Sequence, residues 1–275
     1  MVKINVLLEN CSIDSQYKSN HGLSLFIEYE DKNILLDVGP DINFLQNAKT
    51  KNIDLSSVNY LFLSHNHRDH TGGINDFLEI NNAGHVYIMD KIDNKYYKKF
   101  LFFNIPIGLK LAKKYRPRIT QIAGDLIIGD KIFFLKNTIS EYKKSDFNKK
   151  LYKRYNGKVV NDSFDHEGIL VLEDNNELLI FNACSHNGIF NIIDTVKTKI
   201  PNKKIRCYVG GLHLYNLTAK NNNNNEYLDY LIKGLKEMDM VVYTGHCTGK
   251  YALNYMKTQL GEKIQEINTG MELSV

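Results

Sequence analysis

The sequence predicts an α/β protein in which strands and helices alternate through both halves of the chain. Short apolar segments bounded by Asp, Asn and Gly indicate strands, and segments with apolar residues at helical spacing lie between them. No linker rich in Pro, Gly and Ser separates the halves, so we expect a single domain over residues 1–275. With 275 residues, 43% of them hydrophobic, the chain is long enough to bury a packed sheet core.

The first half contains most of the predicted strands. Apolar segments predict strands at residues 4–8, 23–30, 34–39, 58–63 and 85–89, and further ones near 126–128 and 132–135. The strands on either side of the turn 31–33 form a predicted hairpin. Helical spacing predicts helices over residues 42–51 and 73–80, and a Lys/Tyr-rich segment makes residues 93–103 a helix candidate.

The second half repeats the alternation after a less regular region. Strands are predicted at residues 169–172, 178–181, 206–209 and 241–244, and helices at 188–198, 226–238 and 249–260. The asparagine run 221–225 is expected to be a loop or the start of a helix. Residues 90–165 are expected to be a surface insertion or lid, in which the basic stretch 143–158 is a solvated lysine-rich face.

Charge and composition exclude several classes of function. The 35 Lys and Arg exceed the 31 Asp and Glu by a net charge of only +4, which is too weak to indicate a nucleic-acid partner. The chain has neither a signal-peptide core nor an apolar run near the roughly 20 residues of a membrane helix. The 4 cysteines lack C-x-x-C pairing. We therefore expect a cytoplasmic protein with reduced thiols and no membrane partner.

The most informative segment follows the strand predicted at residues 58–63. It contains His65, His67, Asp69 and His70 within six positions. In extended backbone His65 and His67 point the same way and Asp69 continues that phase, and His70 can turn in if the chain turns there. Such a cluster is poorly satisfied without a cation but suits Zn²⁺, Fe or Mn²⁺. The alternative is a polar loop with incidental histidines. This alternative is disfavoured because three of the chain's 9 histidines lie in one hexapeptide.

This His-x-His-x-Asp-His string resembles the signature of the metallo-β-lactamase superfamily. The resemblance covers most of the chain. Segments 21–24, 35–39, 184–189, 210–213 and 245–249 are similar to the subgroup that contains the archaeal 7,8-dihydropterin-6-methyl-4-(β-D-ribofuranosyl)aminobenzene 5′-phosphate synthases and many bacterial relatives.

The resemblance implies an αββα sandwich of two mixed β-sheets flanked by helices, with the site where strand ends meet. It also implies a divalent metal, one or two ions per chain, with zinc first and iron or manganese as alternatives. The implied ligands are His65 and His67 for the first ion, Asp69 and His70 for the second, and His186 and His246 to complete the set.

Three further residues have two interpretations each. His166 precedes the predicted hairpin 169–181. In one interpretation it binds the metal or the substrate, and in the other it is a surface histidine. Cys184 follows the hairpin, where the superfamily has a bridging Asp, and is either a thiolate ligand or a small buried apolar residue. His213 follows two glycines and either touches substrate or belongs to a turn.

Two residues near the cluster are also ambiguous. Asp37 ends a buried strand and either orients a metal-bound imidazole or forms a turn. The Arg68 guanidinium either contacts an anionic substrate or is exposed to solvent. Asp69 is the expected catalytic residue, because a carboxylate at the second metal can hold the nucleophilic water.

The expected function is that of a metal-dependent hydrolase. A metal-bound hydroxide would attack a small, anionic, phosphorylated or pterin-like metabolite. One alternative is a transferase, a dihydropterin pyrophosphate-dependent synthase that releases pyrophosphate, and another is a non-catalytic metal or ligand sensor. A nuclease is disfavoured by the weak charge, and a flavin-dependent diiron reductase by the lack of a flavin domain. The oligomeric state stays open.

Overall fold

The computed structural model describes residues 1–214 and 225–275, and the chain divides into two compact units. Unit 1 comprises Met1–Leu126, Lys149–Gly168 and Asn268–Val275, and unit 2 comprises Ile127–Asn148 and Ile169–Ile267. The asparagine run 221–225, expected to be a loop or the start of a helix, lies outside the described residues except for its last residue. The single domain and the lid expected at 90–165 stay predictions.

Strands and helices alternate as predicted. The strands are β1 (Lys3–Leu8), β2 (Ser24–Tyr29), β3 (Lys32–Leu36), β4 (Tyr60–Leu63), β5 (His85–Met89), β6 (Tyr96–Phe100), β7 (Phe103–Pro106), β8 (Ile119–Ile122), β9 (Leu126–Ile128), β10 (Ile132–Lys136), β11 (Leu151–Tyr155), β12 (Lys158–Asn161), β13 (Gly168–Asp174), β14 (Glu177–Phe181), β15 (Lys204–Val209), β16 (Val241–Thr244), β17 (Ile264–Glu266) and β18 (Glu272–Ser274). The α-helices are α1 (Asn43–Thr50), α2 (Arg68–Thr71), α3 (Ile74–Ile80), α4 (Ile189–Lys199), α5 (Asn225–Lys236) and α6 (Lys250–Leu260).

Unit 1 is built on a mixed seven-stranded sheet in the order β18-β1-β2-β3-β4-β5-β8. The predicted hairpin is confirmed, since β2 and β3 pair antiparallel around a turn at Glu30, whose φ is 51°. From β3 onward the neighbours β4, β5 and β8 run parallel. Helices α1 and α3 contribute Phe44 and Phe77 to a core with Leu61 and Leu63 of β4. This packing buries the strand whose end carries the histidine cluster.

A second sheet of unit 1 corrects the helix expected at 93–103. Strands β12-β11-β6-β7 form a four-stranded antiparallel sheet, so this segment is a hairpin that turns at Leu101, where φ is 52°. The basic stretch is also partly a strand rather than only a solvated face. Lys153 of β11 is 6% exposed, and its Nζ lies 2.6 Å from Oδ1 of Asp165. Pairing with residues about fifty positions away overrode the local pattern.

The tip of the β6–β7 hairpin is apolar and exposed. The exposed fractions are 59% for Phe100, 70% for Leu101, 94% for Phe102 and 69% for Phe103. These side chains therefore contribute little to the core of unit 1.

Unit 2 contains a mixed seven-stranded sheet in the order β17-β16-β15-β14-β13-β10-β9. The predicted hairpin is confirmed as the antiparallel pair β13–β14, and β14, β15, β16 and β17 run parallel. Helices α4, α5 and α6 pack in one core, to which they contribute Ile193, Leu231 and Met256. The predicted α/β class with mixed sheets is thus confirmed. In the described part of the chain, every helix is too short or too polar to cross a bilayer.

Candidate metal centre

The histidine cluster lies where two parallel strands of unit 1 end side by side. Strand β3 is followed by Asp37 and strand β4 by Ser64 and His65. Because parallel neighbours end at the same edge of a sheet, the two connecting segments meet there. The side chains of Asp37, Ser64 and His65 are completely buried.

Asp37 connects the two segments. Its Oδ1 accepts a hydrogen bond from the Ser64 backbone N–H at 2.7 Å, and its Oδ2 accepts one from the Ser64 hydroxyl at 2.6 Å. The same Oδ2 lies 2.7 Å from Nδ1 of His70, which must donate because a carboxylate can only accept. A φ of 59° at Asp37 turns the side chain into this position. The interpretation of Asp37 as the residue that orients an imidazole is therefore supported.

Three imidazoles of the cluster pack against one another. The ring centroid of His65 lies 4.6 Å from that of His67 and 4.3 Å from that of His70. Burial, reinforced by the neighbouring histidines, lowers the pKa of His67 to about 4 and that of His65 well below its usual range. Both rings are thus neutral near pH 7, the form in which imidazole binds a metal.

His70 differs from its neighbours. Burial disfavours its protonated form, but the charges of Asp69 and Asp37 outweigh that effect and raise the pKa of His70 to about 10. The site therefore attracts positive charge. A bound cation would replace the proton on Nε2 while Asp37 keeps the hydrogen bond to Nδ1. The donor set of buried imidazoles with adjacent carboxylates fits a divalent transition metal.

The chain turns earlier than the sequence predicts. His67 is still extended, with φ −78° and ψ 146°, but α2 begins at Arg68. Asp69 therefore lies on a helical turn and does not continue the extended phase. Its Oδ2 lies 3.5 Å from Nε2 of His70 and 3.6 Å from Nε2 of His21. His21 was not singled out as a site residue, although it opens one of the segments on which the family resemblance rests.

The two glycines after α2 allow the chain to pack closely against the segment that follows β3. A Cβ on Gly72 would lie 2.0 Å from the Pro40 carbonyl oxygen, and one on Gly73 would lie 2.6 Å from that of Val38. Gly72 has ordinary helical angles, with φ −64° and ψ −35°. Only the absence of a side chain lets this turn lie against the segment that follows β3.

His166 is a buried residue, which excludes the surface interpretation. Its Nδ1 accepts the backbone N–H of Asn66 at 3.1 Å, so Nε2 carries the proton and donates to Oδ2 of Asp162 at 3.0 Å. Burial favours the neutral form of Asp162, but His166 and His67 keep the pKa of this carboxyl below its usual value. Nε2 of His67 lies 3.9 Å from the same Oδ2. Sequence reasoning missed Asp162, because nothing near it in the chain resembles a site.

Residues 107–109, in the 90–165 region, pair with the backbone of the histidine cluster. The Arg68 backbone N–H donates to the Ile107 carbonyl at 2.7 Å, and the Leu109 N–H donates to the Asn66 carbonyl at 2.9 Å. His67 forms a β-bridge with Gly108 between them. The Arg68 side chain is exposed, as in the second of its two interpretations.

Unit 2 places a second set of predicted residues after its parallel strands. His186 follows β14, His213 follows β15 and His246 follows β16, where it begins a short 3-10 helix. The rings of His186 and His213 have centroids 4.2 Å apart, and Nδ1 of His186 lies 3.1 Å from Oδ1 of Asn148. His186 and His246 are buried, whereas His213 is partly exposed. Whether these residues bind a metal stays a prediction.

Comparison with known proteins gives consistent matches. A profile of the metallo-beta-lactamase superfamily matches residues 19–139. The chain is 32% identical, over 98% of its length and 95% of the relative, to the 7,8-dihydropterin-6-methyl-4-(beta-D-ribofuranosyl)-aminobenzene-5'-phosphate synthase of Methanocaldococcus jannaschii. It is 26% identical to an uncharacterized protein of the same organism, over 91% of this chain and 92% of that protein.

Solved structures match over the whole chain. A metal-dependent hydrolase of the beta-lactamase superfamily superimposes with a TM-score of 0.82 and 25% identity, covering 100% of this chain and 99% of the other. A diphosphatase from the PhnP family matches with a TM-score of 0.55 and 13% identity, covering 100% and 98%. The second match supports the fold alone.

Proposed function

Since the chain belongs to the metallo-β-lactamase superfamily, we propose that it is a metal-dependent hydrolase of a small phosphorylated or pterin-like molecule. The whole-chain structural match confirms the predicted fold class, and the superfamily and the synthase relative are enzymes. One observation carries the metal-dependent part of the proposal. Buried neutral imidazoles of His65 and His67 lie beside the carboxylate-bound His70, a donor set that suits a transition-metal cation.

The proposed ligands in unit 1 are His65, His67, Asp69 and His70. The family pattern adds His186 and His246, which we include as predicted ligands. A divalent ion bound there supplies Lewis acidity, which stabilises negative charge that develops on the substrate. Zinc is the first candidate, with iron and manganese as alternatives.

The chain's own side chains would orient the attacking group and accept its proton. The exposed fraction of the Asp69 side chain is 26%, so its carboxylate can contact both the histidine cluster and a bound substrate. We assign to it the role of orienting the attacking group and accepting its proton. Asp37 holds the His70 ring in place. Asp162 and His166 support the cluster from the side of His67.

The residues that line a cleft in unit 1 favour an anionic substrate with a flat ring. It has a volume of about 480 Å³, and its lining includes Tyr96, Lys95 and Lys110. The ring of Tyr96 also packs against that of His67, with centroids 6.1 Å apart. Tyr96 therefore belongs both to the wall of the cleft and to the surroundings of His67. The partly exposed ring of Tyr97, which also lines the cleft, offers aromatic surface to a planar ring, and the ammonium groups suit a phosphate.

A second candidate is the pyrophosphate-releasing transferase reaction. The observation in its favour is the 32% identity to the archaeal synthase over nearly the full length of both proteins. In that reaction the aromatic carbon of a second substrate, rather than water, would attack. Both reactions place a phosphorylated group near the same cations. They differ in the attacking group, which is water in the hydrolase and an aromatic carbon in the transferase.

Metal content and substrate turnover test the proposal together. We expect protein purified without chelators to contain a transition metal, and His67→Ala to lose both metal and activity. His85→Ala is the matched control, because this histidine is exposed on β5. A His67→Ala variant with full activity and no bound metal would rule the proposal out.

Assays with and without a second substrate separate the two reactions. The protein is incubated with dihydropterin pyrophosphate alone and with the ribofuranosylaminobenzene phosphate. Pyrophosphate release that requires the second compound supports the transferase, and release in water alone supports the hydrolase. No turnover of these or of a phosphoester panel by the metal-loaded protein favours the sensor and contradicts both.

A further inference from the structure

Unit 2 holds a second group of metal-binding atoms, and this group contains sulfur. The thiol sulfurs of Cys184 and Cys247 and a ring nitrogen of His213 all lie within 4.8 Å of one another. Cys184 is 3% exposed and Cys247 is 4% exposed, so the sulfurs are shielded from bulk solvent. We infer that these three residues form a sulfur-containing binding site for a zinc-class metal ion.

The topology of unit 2 explains why residues so distant in sequence meet. Strands β14, β15 and β16 are adjacent and parallel. Cys184 follows the end of β14, His213 that of β15 and Cys247 that of β16. Because parallel strands present their carboxyl ends at one edge of a sheet, three consecutive connections deliver one donor each to the same place.

The Cys247 sulfur is held in place by the segment after β15. The His213 backbone N–H donates to Sγ of Cys247 at 3.3 Å, in a left-handed residue with φ 52°. A Cβ on Gly211 would lie 2.4 Å from the same sulfur, so a residue without a side chain is needed for this approach. Sγ of Cys247 also lies 3.7 Å from the Cys184 carbonyl oxygen, so the segments after β14, β15 and β16 all meet at this sulfur.

The donor set selects the class of ion. Tetrahedral zinc has Zn–S bonds of about 2.3 Å and Zn–N bonds of about 2.0 Å, which places donor atoms about 3.4–3.8 Å apart. The three donor atoms already lie within 4.8 Å of one another, so only a modest contraction is needed to reach that geometry. Two thiolates and an imidazole favour zinc and its softer analogue cadmium over magnesium, calcium or manganese. Three protein donors leave one coordination position for an outside ligand.

This donor set differs in chemistry from the imidazole and carboxylate cluster of unit 1. Sulfur-to-metal charge-transfer absorption reports only the thiolate site and requires no substrate or turnover. The inference can therefore fail while the proposed function holds, and the reverse is also true.

The test is a Cd²⁺ titration of reduced, metal-free full-length protein followed by near-ultraviolet absorbance. A Cys11→Ser background removes the exposed cysteine, and Cys207→Ser is the matched control. Burial raises the pKa of the Cys207 thiol to about 12, so it stays protonated. We expect a charge-transfer band in the background protein and in the Cys207→Ser control. Cys184→Ser and Cys247→Ser should each lose at least half of the band, and His213→Ala should bind Cd²⁺ at least tenfold more weakly.

Far-ultraviolet circular dichroism shows whether each variant is folded. If a serine variant does not fold, differential alkylation of the background protein replaces it, with Cd²⁺ expected to protect both Cys184 and Cys247. The absence of a sulfur band in the folded background protein overturns the inference. A band that persists unchanged in folded Cys247→Ser also overturns it, because the Cys247 sulfur would then not be a ligand.

Discussion

The Asp37 carboxylate holds His70 through a 2.7 Å hydrogen bond to Nδ1, and it also accepts two hydrogen bonds from Ser64. One buried side chain thus joins the segment after β3 to the segment after β4. It sets the orientation of the imidazole and leaves Nε2 directed toward Asp69, whose Oδ2 is 3.5 Å away. The orientation of His70 therefore depends on a residue that binds no metal itself.

Replacing Asp37 should weaken metal binding without removing a proposed ligand. In Asp37→Asn the amide has one acceptor oxygen and no negative charge, so His70 and Ser64 lose part of their support. We expect metal affinity to fall by about 10–100-fold, measured by competition with a chelator. Asp76→Asn, on α3, is the control and should bind as the wild type does. Unchanged affinity in Asp37→Asn would show that the carboxylate does not act through His70.

Metal removal should lower thermal stability. A ligand that binds only the folded state stabilises it by about 2.7 kcal/mol at one hundred times its Kd. We therefore expect zinc to raise the Tm of the metal-free protein, measured by calorimetry, and to raise it less in His65→Ala. Equal Tm values with and without zinc would contradict a site formed by the folded chain.

Gly72 should tolerate no side chain, although its backbone angles suit any residue. In Gly72→Ala the new Cβ would lie 2.0 Å from the Pro40 carbonyl oxygen, so one segment must move. We expect a loss of about 1–3 kcal/mol in the free energy of unfolding, typical of overpacking, measured by urea denaturation. Gly124→Ala is the control, because a Cβ there meets nothing within 4 Å. Similar stability of the two variants would argue against the close approach.

Two phenylalanines of unit 1 should differ strongly in how much loss of the ring costs in stability. Phe77 on α3 is completely buried, and Phe77→Ala should cost about 3–5 kcal/mol in the free energy of unfolding. Phe102 at the hairpin tip is 94% exposed, and Phe102→Ser should change that quantity by less than about 0.5 kcal/mol. Denaturant titrations compare the two. A large loss in Phe102→Ser would mean that the tip is packed in solution.

Local pattern predicted the elements near the cluster correctly and failed where distant pairing decided. Apolar residues before the polar string predicted β4, and helical spacing predicted α3. Residues 93–103 are rich in Lys and Tyr, which occur in helices and strands alike, so their own pattern did not discriminate. Pairing of β6 with β11, about fifty residues later, makes them a hairpin.

The sequence by itself determined where the imidazoles of unit 1 would gather, because four polar groups crowded behind one buried strand have few other uses. Only the tertiary structure decided what surrounds them. Asp162 and His166 lie beside His67, although nearly a hundred residues separate them in the chain. Cys184 and Cys247 come together in the same way, at the ends of separate parallel strands. A local pattern sets the direction of neighbouring side chains, whereas proximity between distant residues depends on sheet order and packing.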